Sequence, residues 1–112
     1  MAKYLKITTR GEVLTIDTGD KYANLEFLYS QTMSKTIEVV RLNGATMWLD
    51  EEGKLRGRDV NTIATDLYEQ TYGPYDLIVG DVILTADEDE NGNLLGFSDE
   101  QIEEIANKVL VP

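Results

Sequence analysis

The chain has 112 residues, 42% of them hydrophobic and 28% charged, with a net charge of −11. That composition fits one globular domain and excludes a disordered or fibrous chain. It contains no cysteine and no histidine, which excludes disulfides, thiolate chemistry and imidazole as a general base or zinc ligand.

Lys3–Thr9 and Glu12–Asp17 alternate apolar and polar residues on either side of Arg10-Gly11, a pattern that predicts a first β-hairpin. From Lys21 the apolar positions Tyr22, Leu25, Phe27, Leu28 and Tyr29 suit a helix of about three turns, capped by Asp20 or Thr18. Thr36–Leu42 reads as a strand, Asn43-Gly44 as a type I′ hairpin turn and Ala45–Leu49 as the return strand, with Trp48 as its one large anchor. Asp50–Gly53 is polar and turn-like, and the cations of Lys54-Leu-Arg56-Gly-Arg58 follow at every second position. Asn61 or Thr62 can cap a second helix carrying Ile63, Ala64, Leu67, Tyr68 and Tyr72, which Gly73-Pro74 stops.

Asp76–Ala86 holds the most apolar run of the chain and predicts a central strand with Gly80 at a bend or bulge. Asn91-Gly92 marks a further turn into a short strand at Asn93–Phe97. Ser98-Asp-Glu-Gln101 forms a capping box ahead of a last helix lined by Ile102, Ile105, Ala106 and Val109, with Leu110 beside them. The expected architecture is α+β. It is a single compact domain over 1–112, with a mostly antiparallel mixed sheet of five to six strands and three helices.

The charge is uneven. Residues 86–112 hold eight acids and one base, Lys108. So acidic a chain is not expected to bind a nucleic-acid backbone directly. No apolar run reaches the roughly 18 residues of a membrane span, and Met1–Lys6 lacks the apolar core of a secretory signal, so the expected location is the cytoplasm.

Within this acidic chain Lys54, Arg56 and Arg58 stand out. On an extended segment all three would project from one face and, with Arg41, could cradle a phosphate or carboxylate. Asn61 and Tyr68 complete this candidate ligand set. Tyr68, Tyr72 and Tyr75 could offer a stacking surface. An edge strand whose charges prevent edge-to-edge pairing would explain the same cations without a ligand, and helix packing would explain Tyr68 and Tyr72.

Asp87, Asp89 and Asn91, followed by Gly92, resemble the first half of a calcium loop. Position twelve is Ser98 rather than a glutamate, however, and a solvated acidic hairpin turning at Asn91-Gly92 accounts for the segment better. Glu38, Asp50, Glu51 and Asp81 lie near strand ends and could form a carboxylate pair for acid–base or magnesium chemistry, although no nucleophile or phosphate loop accompanies them. Asp81, set within an apolar run, is expected either to pair, with Arg41 as a partner that would neutralise it, or to sit at a strand edge.

Ile37–Leu42, Asp50–Leu55, Asn61 with Ala64, Ile78–Val82 and Gly96–Glu100 occur in an order that resembles a small domain family of phages, prophages and mobile elements, catalogued as a domain of unknown function. The family pattern usually has prolines before the Asn61 position, where this chain has Arg58-Asp59-Val60. The resemblance implies a viral or mobile-element origin and action inside a bacterial cytoplasm, and implies no activity. Together these features suggest a non-enzymatic binding protein of a phage, working without a cofactor, that sequesters a small nucleotide-like signal or engages a host protein. It could act as a homo-oligomer with sites between subunits. The alternatives are an acidic DNA mimic that blocks a host DNA-binding enzyme and a carboxylate- and metal-dependent hydrolase.

Overall fold

The computed structural model describes residues 2–110. The first hairpin forms as its alternation predicts: β1 (Lys3–Ile7) pairs antiparallel with β2 (Val13–Asp17). A second hairpin joins β3 (Ile37–Leu42) to β4 (Ala45–Asp50) through Asn43-Gly44. Only Gly44 takes a positive φ (80°) in that turn, so the expected type I′ geometry, which needs two such residues, is not adopted. β5 (Val82–Thr85) fits between the hairpins and gives one sheet of five strands in the order β2-β1-β5-β4-β3, antiparallel throughout.

Register decides what each face buries. Leu5, Ile7, Met47, Leu49, Val82 and Leu84 point to one face, where α2 (Thr62–Tyr72) and α3 (Asp99–Leu110) cover them through Ala64, Leu67 and Ile105. Tyr4, Trp48 and Ile83 point to the other, beneath Phe27 and Leu28 of α1 (Leu25–Thr32). β1, β4 and β5 are therefore covered on both faces. That is why the sequence of β5 is a continuous apolar run and not an alternating one.

Three local expectations change. α1 starts at Leu25 and is capped by Asn24, whose side chain accepts from the Phe27 amide. Residues before it are held otherwise: Ala23 bridges to Leu94, and its amide donates to the Tyr4 hydroxyl at 2.9 Å. The strand expected over Asp76–Ala86 is confined to Val82–Thr85. Gly80, at φ 79°, turns the chain, and Val79 before it makes only an isolated bridge to Val60. The strand expected at Asn93–Phe97 is reduced to bridges from Leu94 to Ala23 and Glu88. The capping box forms as read, with Ser98 and Gln101 exchanging backbone-to-side-chain bonds. The Leu110 side chain lies outside the described residues.

Tyr4 ties the α1 approach to the sheet. Its hydroxyl accepts from Ala23 and donates to the Leu94 carbonyl at 2.7 Å, and burial raises its pKa. Tyr4→Phe would leave a buried amide without a partner. The expected loss is about 1–3 kcal/mol in a urea titration; an unchanged midpoint would refute this role.

Candidate functional site

The largest correction concerns the three cations. Lys54–Arg58 is not extended. The segment coils through successive turns in which Arg56 donates to the Glu52 carbonyl, Gly57 to Lys54 and Arg58 to Gly53. Coiling carries Lys54 away to an ion pair with Asp76 and turns Arg56 and Arg58 inward onto one carboxylate, that of Asp50.

Asp50 ends β4 with its side chain wholly buried. Its Oδ1 accepts from Ser34 Oγ (2.7 Å), Thr36 Oγ1 (3.3 Å) and the Glu52 amide (2.9 Å). Its Oδ2 meets Arg58 Nε at 2.7 Å and Arg56 Nε at 3.3 Å. A carboxylate offers about four lone-pair positions; four hydrogen bonds reach this one, three at Oδ1 and one at Oδ2, and Arg56 adds an ion pair. Burial alone would raise the Asp50 pKa, but bonds from Arg58, Ser34 and the Glu52 amide outweigh it and hold the carboxyl below the ordinary value.

Arg58 also donates to the Met33 carbonyl at 2.7 Å, which ties the end of α1 to the turn after β4. Gly80 makes room for it, since a Cβ there would lie 2.8 Å from Arg58 Cδ. Arg56 differs. Its guanidinium edge reaches Asp50 and Glu52, yet its side chain remains 46% exposed. It borders an open groove of about 580 Å³, together with Glu26, Tyr29, Met33 and Lys35.

The other expected ligands lie elsewhere. Arg41 sits on the edge strand β3, in a shallow surface with Trp48, Tyr68 and Tyr72. The Tyr72 hydroxyl donates to the Arg41 carbonyl, and the Tyr68 and Tyr72 rings lie 5.1 Å apart, tilted by 35°. Asn61 is fully buried and its side chain is engaged at both ends. Tyr75 is 83% exposed. Of the cations proposed together, only Arg56 and Arg58 are brought together.

Asp81 does not pair with Arg41, because β4 separates their strands. It accepts from the Thr9 amide at 3.0 Å and lies 3.8 Å from Lys6 Nζ on the neighbouring β1. At the calcium candidates, the Asp89 carboxylate accepts from the Asn91 amide and from both the amide and side chain of Asn93. Among the described residues no group of three or more acidic side chains is placed to hold a metal ion. No helix among them is long and apolar enough to cross a membrane.

Sequence reasoning missed Ser34, Thr36 and Asp50 as one centre, and Tyr29 and Lys35 as neighbours of Arg56. One signal for Asp50 was available: on β4 it shares the phase of Trp48, which points into the α1 face.

Comparison with known families places this architecture. The sequence model of a domain of unknown function (DUF3846) matches residues 6–110. The chain belongs to this family. The match takes in every element except the start of β1, including both hairpins and the Asp50 centre. No curated protein matches the chain, and no solved structure does.

Proposed function

We propose that this member of the DUF3846 family is a non-enzymatic binding protein for a small nucleotide-like anion. The proposed site is the groove between α1 and the turn after β4. One observation carries the reading: Arg56 is anchored over a buried carboxylate while its outer face borders a groove that also contains a tyrosine and Lys35. A guanidinium already oriented by a carboxylate loses little freedom on meeting an anion. Lys35 adds a second positive charge, and the Tyr29 ring offers a face for a planar base. Glu26, lining the same groove, can accept from a sugar hydroxyl or a base amino group.

The groove volume falls within the range typical of small-molecule sites, about 300–1,000 Å³. The engagement of Asp50 by four hydrogen bonds and two arginines favours binding over a carboxylate-based hydrolase, since the best buried acid is already committed to structural partners. In this reading the protein acts in a bacterial cytoplasm on behalf of a phage or mobile element and withdraws a nucleotide signal used in host defence.

The test is thermal shift and calorimetry with mono-, di- and cyclic nucleotides, with inorganic phosphate as comparison. A nucleotide is expected to raise the melting temperature. Arg56→Ala and Lys35→Ala are each expected to weaken its binding about tenfold, the loss of one charge-assisted contact. Arg41→Ala is expected to leave binding unchanged. Absence of a shift with every nucleotide, or a shift indifferent to Arg56, would reject the reading.

A further inference from the structure

The opposite face of the sheet holds a separate cavity of about 190 Å³, lined by residues of α2, α3 and the β3–β4 turn. Its floor is the apolar core itself: Ala45 and Leu84 from the sheet, Leu67 from α2 and Ile105 from α3, none more than 8% exposed. Its mouth is polar and carries Gln70, Thr71 and Lys108. The space exists because Ala45, at the first position of β4, puts only a methyl group where neighbouring sheet positions carry larger side chains.

We propose that this cavity binds an uncharged molecule of single-ring size, with an apolar body and one hydrogen-bond donor at its end. Size supports a ring, because an apolar cavity of about 150 Å³ already admits benzene. Lining supports an apolar body, since the floor offers no hydrogen-bond partner and would strand a charge or a second polar group. The mouth lies at the last turn of α3, where backbone carbonyls are left over and the helix dipole is negative. There the Lys108 carbonyl already accepts from Gln70, at 3.4 Å. These groups suit a donating hydroxyl or ring N–H. Among the described residues the lining holds no acid and one cation, Lys108, at the mouth; a carboxylate in place of the hydroxyl would reach that cation only by giving up part of its water against the apolar floor.

Phenol and benzoate are the probes, read by methyl NMR and thermal shift on the whole chain. Phenol at millimolar concentration is expected to move the methyl signals of Leu67, Leu84 and Ile105, with benzoate at least tenfold weaker. Ala45→Leu fills the space; it is expected to raise the melting temperature and abolish the phenol response. If leucine proves too large to fold, Ala45→Val is expected to weaken the response severalfold. No methyl perturbation by phenol, perturbations confined to other residues, or an undiminished response in the filled variant would overturn the proposal. Benzoate binding as tightly as phenol would overturn the assignment of an uncharged ligand. Nucleotide binding at the Arg56 groove is a separate measurement, and neither result decides the other.

Discussion

Asp50→Ala is expected to lower stability by about 3–5 kcal/mol, the cost of removing one partner from a buried ion pair. For a domain of this size that corresponds to roughly 12–20 °C in melting temperature, at about 4 °C per kcal/mol. The substitution removes the acceptor for Ser34, the Glu52 amide and both arginines together. It leaves the Arg58 guanidinium, only 18% exposed, with its charge unbalanced.

The same centre sets an acid limit. The Asp50 carboxyl titrates below its ordinary 3.8 in the folded protein, so the folded state favours the ionised form. That stabilisation is fully present above the unfolded pKa and is lost as pH falls through the folded one. Stability of the natural chain is therefore expected to fall steeply below about pH 4. Asp50→Asn should start lower and flatten that dependence, because an amide cannot ionise. Urea midpoints measured from pH 7 to pH 3 check both. A variant as stable as the natural chain, or an unchanged acid slope in Asp50→Asn, would show that the centre is not what holds α1 to the turn.

How legible this was in the sequence depends on how local each cause is. The strand pairings of both hairpins, the Asn61 cap and the Ser98–Gln101 box rest on residues a few positions apart, and they formed as read, although the Asn43-Gly44 turn is not type I′. The start of α1 did not, because Asp20 and Asn24 are both competent caps and the choice was made at a distance, by the Tyr4 hydroxyl and the bridge to Leu94. Alternation in Lys54–Arg58 suggested an extended chain, but extension needs a partner strand. The two edge strands, β2 and β3, do not pair with this segment, and its amides bond within successive turns instead. The arginines instead followed a buried carboxylate whose other donors, Ser34 and Thr36, precede it by 16 and 14 residues. The Asp81 partner required strand order, which pattern alone does not disclose; Lys6 faces it because β1, not β3, adjoins β5.

Asn61 illustrates how a polar residue beside a cationic segment can be structural. Its Oδ1 caps α2 by accepting from the Ala64 amide at 3.1 Å, and its Nδ2 donates to the carbonyls of Ile7 and Gly80, both at 2.9 Å. One side chain thereby joins the end of β1, the start of α2 and the Gly80 turn, at zero exposure. Asn61→Ala removes a helix cap, worth about 1 kcal/mol. It also leaves two buried carbonyls without this donor, at about 1–3 kcal/mol each where no other partner replaces it. The expected total is about 3–7 kcal/mol in a urea titration. Asn61→Asp keeps the cap but sets a carboxylate against two carbonyl oxygens, so it should be no better than alanine. If Asn61 were a ligand contact, the order would reverse: alanine would leave the urea midpoint near that of the natural chain and abolish nucleotide binding. The burial and complete hydrogen bonding of this side chain require the first outcome.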